Sequence, residues 1–189
     1  MPKFTLELKP FNRRHLHLVL PLRKELGAGF VPSMRNYLSV GRYLTTGEVW
    51  KVYAVYYHDK LIGVVGYYHP YGKRTPAAYK AGNVWLGWFG ILKAYRCHGH
   101  GAHAIRTMVH MNERDFAGRI FNAYTDADND AAGAFYHRQM KMRMVGTVAE
   151  YRKEHRLGRE LFGPMDNVVY SAPVRRIMTL LRPAHYKFV

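Results

Sequence analysis

Cysteine is almost missing from this chain: Cys97 stands alone among 189 residues, which excludes an internal disulfide. Acidic side chains are scarce too. Thirteen Asp and Glu face 29 Lys and Arg, for a formal charge of +16, so nucleic acid, phosphorylated ligands and acidic proteins become plausible partners while polycations do not. No apolar run approaches the roughly 18 residues of a membrane-crossing helix, and neither internal repeats nor low-complexity tracts occur. Lys3, Glu7 and Lys9 interrupt the stretch where a secretory signal needs a continuous apolar core. These absences predict a soluble chain of a reducing compartment, the cytoplasm, with no membrane partner.

What is present suits a globular protein, with 48% hydrophobic and 22% charged residues. A chain of this length buries about 70% of its unfolded surface in one core. We expect a single domain over residues 1–172 and a basic extension over 173–189, where Arg175, Arg176, Arg182 and Lys187 have no acid beside them.

Residues 4–8 alternate apolar and polar, as a half-buried strand does. Apolar spacing predicts a helix over 13–26 and a shorter one after Pro32, carrying Met34, Tyr37, Leu38 and Leu44. Residues 50–58 and 61–68, rich in Val, Ile and Tyr and separated by Asp59 and Lys60, read as an antiparallel hairpin. The stretch 69–82 has loop chemistry, and the apolar run 84–92 reads as a strand covered on both faces. A helix over 101–113 and a strand over 119–125 complete a strand-helix-strand unit, which is parallel and right-handed in nearly every case. Asn129 is a candidate N-cap for a helix carrying Ala132, Phe135, Tyr136 and Met140. Two last strands, 145–151 and 167–172, flank a charged loop, 152–166. The fold class is therefore α/β: one mixed, mostly antiparallel sheet with a single central parallel unit.

The segment Tyr95-Arg96-Cys97-His98-Gly99-His100-Gly101-Ala102 lies between the buried strand and its helix. Glycines there admit a ligand close to the backbone, and the uncapped amides of the helix start favour a phosphate. Gly99, Gly101 and Ala104 also match the dinucleotide fingerprint, although that motif normally follows the first strand of its unit. Cys97, His98, His100 and His103 could ligate a metal, but no second ligand pair at a structural spacing accompanies them. A Walker loop is excluded for want of its Gly-Lys followed by Ser or Thr.

Arg96-x-x-Gly99-x-Gly101 resembles the signature of the GCN5-related N-acetyltransferase (GNAT) family, and Tyr95-Arg96 its usual opening. Farther on, Asn129-Asp130-Ala131-Ala132-Gly133-Ala134-Phe135-Tyr136 is similar to the family's Asn-x-x-Ala-x-x-aromatic-Tyr helix. The resemblance implies acetyl coenzyme A as co-substrate and no metal. Arg96, Cys97, His98, Gly99, His100, Gly101 and Ala102 would hold its pyrophosphate, and Gly90, Ile91 and Leu92 its pantetheine arm. Asn129 would complete the coenzyme site, while Trp85, Trp88 and Phe89 would flank a gap between splayed parallel strands. Tyr136 would return a proton to the leaving thiolate, a task that suits a phenol of pKa about 10.

Two departures stand out. After Tyr136 the run His137-Arg138-Gln139-Met140-Lys141-Met142 is one residue longer than the family pattern and lacks its glycine. The strand over 83–92 also lacks the family's glutamate base, leaving Asp126, Glu150 and His69 as candidates. Arg152, Lys153, His155, Arg156 and Arg159 make the rim of the loop between the last strands basic. The acceptor implied is an amine on an acidic or phosphate-bearing partner, whether protein or nucleic-acid-linked. The alternative is a catalytically degenerate module that binds nucleic acid or a partner protein.

Overall fold

The computed structural model describes residues 6–15, 50–70, 75–157 and 165–179. The expected helices over 13–26 and after Pro32 lie outside these residues, apart from a 3-10 turn at Arg13–His15; so do Arg159, Arg182 and Lys187. The strands lie in the hydrogen-bonded order β1-β2-β3-β4-β5-β7-β6. Contacts gather the chain into two compact units, and β4 (Asn83–Ile91) contributes to both.

The first unit carries β1 (Leu6–Pro10), β2 (Trp50–Tyr57), β3 (Lys60–Tyr68) up to Tyr67 and the second half of β4. β1 runs two residues past its expected end and pairs antiparallel with β2, Leu6 opposite Tyr57 and Lys9 opposite Ala54. His58 and Asp59, both left-handed at φ 46° and 62°, join β2 to β3 in the kind of two-residue turn that matches strand twist. The hairpin is thus as expected, with its turn one residue earlier. Phe11, Val52, Ala54 and Val64 form a buried cluster, against which Tyr56, Leu61, Trp88 and Leu92 pack. A long helix, His100–Met111, belongs to this unit and buries Ala104, Ile105 and Met108.

The second unit opens with α1 (Ala77–Gly82), where a loop was expected. Pro76 sets the entry, Tyr79 is buried, and the carbonyls of Lys80 and Ala81 at the helix end accept from the Arg119 guanidinium. With His100–Met111 as α2, the order continues through α3 (Glu113–Phe116), β5 (Ile120–Thr125) and α4 (Asp130–Ala134). A π-turn (Phe135–Gln139), β6 (Arg143–Thr147), α5 (Val148–His155), β7 (Val168–Pro173) and α6 (Val174–Thr179) follow. The strand expected over 145–151 therefore stops at Thr147, and residues expected to be strand or loop become α5. A capping box decides this: the Thr147 hydroxyl accepts from the Glu150 amide, and the Glu150 carboxylate accepts from the Thr147 amide. β7 pairs antiparallel with both β5 and β6. α6 buries Val174 and Ile177, and the Val174 amide donates to the Arg119 carbonyl.

Candidate active site

β4 and β5 are parallel, with Asn83, Val84 and Trp85 opposite Ile120, Phe121 and Asn122. The ladder ends there although β4 continues to Ile91 and β5 to Thr125. Just beyond it Trp88 takes a left-handed backbone, φ 43°, which breaks the pleat in mid-strand. The strand is covered unevenly: Val84, Trp85 and Leu86 are buried, whereas Gly87, Trp88 and Phe89 are only half-buried. Full cover on both faces was the sequence expectation, and it fails at this break. The Leu92 amide donates to the Ile62 carbonyl at 2.8 Å, so strand alternation turns the Ile91 peptide groups to the edge away from β3. There the Arg96 Nε donates to the Ile91 carbonyl at 2.7 Å. Of Gly90, Ile91 and Leu92, only Ile91 thus presents its amide on that edge.

After the 3-10 turn Lys93–Tyr95, Cys97 and Gly99 are left-handed at φ 63° and 81°. This double reversal carries the chain into α2, and the His103 amide donates to the Gly99 carbonyl at 3.0 Å. Gly99 therefore caps the helix, and Gly101 and Ala102 lie in its first turn, where amides have no intrahelical acceptor. No acidic side chain occupies that turn, so nothing on the helix neutralises the positive end of its dipole. The histidines of the turn differ in burial. His100 is buried, its ring centroid 4.5 Å from that of Tyr57 and 6.3 Å from that of Tyr95. Burial, then His98, pushes its pKa down, and burial, then Arg106, does the same for His103. Cys97 and His98 are exposed. Among the described residues no group of three His, Cys, Asp or Glu could hold a metal ion.

Tyr136 sits in the π-turn, in the second unit, with its ring 5.4 Å from that of Tyr170. It is buried. Burial, then Tyr124 and Tyr170, raises its pKa well above the ordinary phenol value instead of leaving it near 10. The helix before it is held by Asn129, whose side-chain oxygen accepts from the Ala132 amide at 3.1 Å. Asn129 thus acts as the expected N-cap. A Cβ on Gly133 would meet the Tyr170 hydroxyl at 2.9 Å, so that glycine admits the Tyr170 ring close to the helix.

The candidate bases fare unequally. Glu150 is exposed, and both its hydrogen bonds to Thr147 hold its carboxyl below the usual glutamate value; it is a helix cap. Asp126 is exposed just beyond β5, and His69 is half-buried just beyond β3. Trp85 does not flank an open gap. It is fully buried and donates its indole N–H to the Tyr79 hydroxyl at 3.2 Å. Tyr79 donates to the Tyr151 hydroxyl, and the Asn122 side-chain oxygen accepts from Tyr151 and from Ser171. Sequence reasoning overlooked this network because its members come from separate elements with no common spacing. The one available signal was an asparagine in the apolar strand at position 122.

A sequence comparison with curated proteins finds no match. Solved structures resemble the chain over most of its length. An acetyltransferase from Thermus thermophilus is 17% identical, with a TM-score of 0.61 over 92% of this chain and 99% of that one. The Salmonella typhimurium acetyl transferase that modifies the N-terminal serine of the 50S ribosomal subunit protein L7/L12 is 15% identical, with a TM-score of 0.63 over 89% and 95%. Arabidopsis thaliana NAA60, solved with a bisubstrate analogue, is 18% identical, with a TM-score of 0.60 over 89% and 97%. At such identities the likeness is one of fold. Residues 28–142, more than half of the chain, match the acetyltransferase (GNAT) family model, and with the interrupted β4-β5 ladder and the acid-free start of α2 already in place, the chain belongs to that family of acetyl-coenzyme-A-dependent enzymes.

Proposed function

We propose that the protein transfers an acetyl group from acetyl coenzyme A to the N-terminal amine of an acidic or phosphate-bearing partner. The observation that carries the transfer is the left-handed turn at Cys97 and Gly99 leading into a helix start without acids. Acetyl coenzyme A supplies the acetyl group as a thioester. Amides from Cys97 to Ala102 hold its pyrophosphate, and the Ile91 amide, on the edge away from β3, holds its pantetheine arm. The Tyr136 hydroxyl holds the proton that the leaving thiolate takes. A phenol of ordinary pKa already keeps that proton across the neutral range, and burial strengthens the hold. The acceptor follows from charge: +16 overall favours an anionic partner and repels polyamines. An N-terminal amine is favoured among acceptors because structures of like fold include acetyltransferases that act on the N-terminus of the ribosomal protein L7/L12.

Thermal unfolding with and without the coenzyme tests the first half. At 100 times the dissociation constant, acetyl coenzyme A adds about 2.7 kcal/mol of stability, a rise of several degrees, while NAD adds none. Peptides with free N-termini followed by acidic or basic residues test the second half, with acetylation read by mass spectrometry. Faster acetylation of the basic set would overturn the charge argument.

A further inference from the structure

In the second unit, His137, Arg138, Lys141, Arg143 and Arg176 line an open basin of about 650 Å³ with Met142. Three elements deliver them: the π-turn and the residues after it, the first residue of β6, and α6. All five basic residues are exposed while Met142 is buried. No ion pair to any of them is found among the described residues, where the resolved pair is Lys9 with Glu7. Tyr136 points into the unit, whereas its neighbours His137 and Arg138 face solvent. The basin also lies toward the starting end of β5. Arg143 is opposite Ser171, which is opposite Asn122, while Thr147 and Val168 stand beside Thr125 at the strand's other end.

Gathering four permanent cations and an imidazole without a carboxylate costs self-repulsion that a bound anion relieves. The lining narrows the kind of anion. Three of the five are arginines, whose planar forks suit phosphate. No Phe, Tyr or Trp ring lines the basin, so unstacked bases lack the large platforms that single-strand binders offer. The lining has no Asn, Gln, Asp or Glu side chain to read adenine or cytosine edges, and its exposed arginines and lysine suit the phosphates that a duplex turns outward.

We infer that this basin docks the sugar-phosphate backbone of a nucleic-acid double helix, without reading its sequence. DNA and RNA duplexes are held alike, because the contacts are phosphate contacts only. The basin's lining includes none of the residues assigned to acetyl transfer, and docking there needs no coenzyme.

The test is fluorescence anisotropy of the full chain with labelled DNA and RNA duplexes of about 16 base pairs across a salt series, without acetyl coenzyme A. Both should bind with similar affinity that falls linearly with salt on logarithmic axes. Arg143→Glu with Arg176→Glu should weaken binding about tenfold or more at low salt and flatten the slope by about 2, at roughly 0.9 per phosphate contact. The neutral pair Arg143→Gln with Arg176→Gln should show the same trend to a lesser degree and serves if the reversal misfolds. A retained thermal shift with acetyl coenzyme A shows that the variants are folded. Failure of both duplexes to bind, a slope unchanged in the folded variants, or binding of poly-glutamate in place of duplex would overturn the inference. Loss of acetyl transfer alone would not, since the readout is binding.

Discussion

The amide of Met140 donates to the carbonyl of Phe135, five residues back, at 3.1 Å. One extra residue is thereby absorbed into a widened helical turn, which explains how the longer run after Tyr136 is accommodated. The amide of Met142 then donates to the carbonyl of Tyr136 at 3.0 Å, and Met140 and Met142 are both buried. Lys141, between them, takes the left-handed conformation at φ 52°. It stands where the family pattern has its glycine, and its backbone does what glycine does at lower cost.

Lys141→Gly should therefore stabilise the protein. The left-handed lysine costs about 1–2 kcal/mol, part of which glycine returns as extra freedom in the unfolded chain, so a net gain of about 0.5–1 kcal/mol is expected from urea denaturation. A loss of stability would show that the lysine side chain, and not its backbone, holds the turn.

Tyr136→Phe should lower turnover by roughly 10² or more and leave coenzyme affinity nearly unchanged, because the ring is kept and only the proton donor goes. Steady-state rates beside a coenzyme titration separate the two effects. Equal turnover in the variant would remove Tyr136 from the mechanism.

Gly63→Ala should damage the coenzyme strand from behind. Its Cβ would meet the Gly90 carbonyl oxygen at 2.3 Å and the Ile91 Cδ1 at 2.8 Å, so β4 must shift where Ile91 presents its amide. A lower melting temperature and a weaker shift with acetyl coenzyme A are expected. Gly82→Ala, with nothing within 4 Å, should alter neither by much.

Alkaline stability should follow the buried tyrosines. Burial raises the pKa of Tyr79, Tyr136 and Tyr151, so each hydroxyl ionises more readily in the unfolded chain. Their contribution is complete below the ordinary value of about 10 and falls above it by about 1.4 kcal/mol per pH unit per group, until the folded value is reached. Urea midpoints between about pH 9 and 11 should drop less steeply for Tyr79→Phe than for the native chain. The variant should be less stable at neutral pH, since Trp85 and Tyr151 each lose a partner.

Glu150→Gln tests the separation of cap from base. Its carboxyl is held below the usual value, so the stability it adds is present above the ordinary glutamate pKa and lost as pH falls through the lower folded one. Melting curves should show a small loss at neutral pH, whereas turnover per folded molecule should not change. Thr147→Ala should cost about 1 kcal/mol through the same cap.

The strands were legible where chemistry is local. The hairpin at His58 and Asp59 and the N-cap at Asn129 rest on residues within a few positions of each other, and the parallel unit around α2 on the general handedness of a strand-helix-strand run. Errors fell where a distant partner decides. Residues 77–82 look like a loop until Arg119, in the link before β5, supplies donors to the carbonyls of Lys80 and Ala81. Val148 to Tyr151 carry strand-like apolar residues, yet the Thr147–Glu150 reciprocal cap outweighs that preference. In the site, the motif glycines located the turn, but which of them is left-handed was hidden: it is Gly99, with Cys97, while Gly101 lies inside α2. The burial of His100 under Tyr57 depends on the end of β2, some forty residues earlier, and no local spacing announces it.

The hydrogen-bonded order ends on β6, whose exposed Met144 and Val145 would offer a sticky outer edge to other copies of the chain. The register slips between Met144 and Gly146, and Gly146 adopts φ 130°. Such a bulge twists the strand and leaves only a short flat stretch for a neighbouring backbone to zip onto. Arg143 at its start adds charge repulsion between like molecules. The irregularity thus works as a guard against fibrous self-assembly, and straightening it by deleting Val145 would open the edge to aggregation.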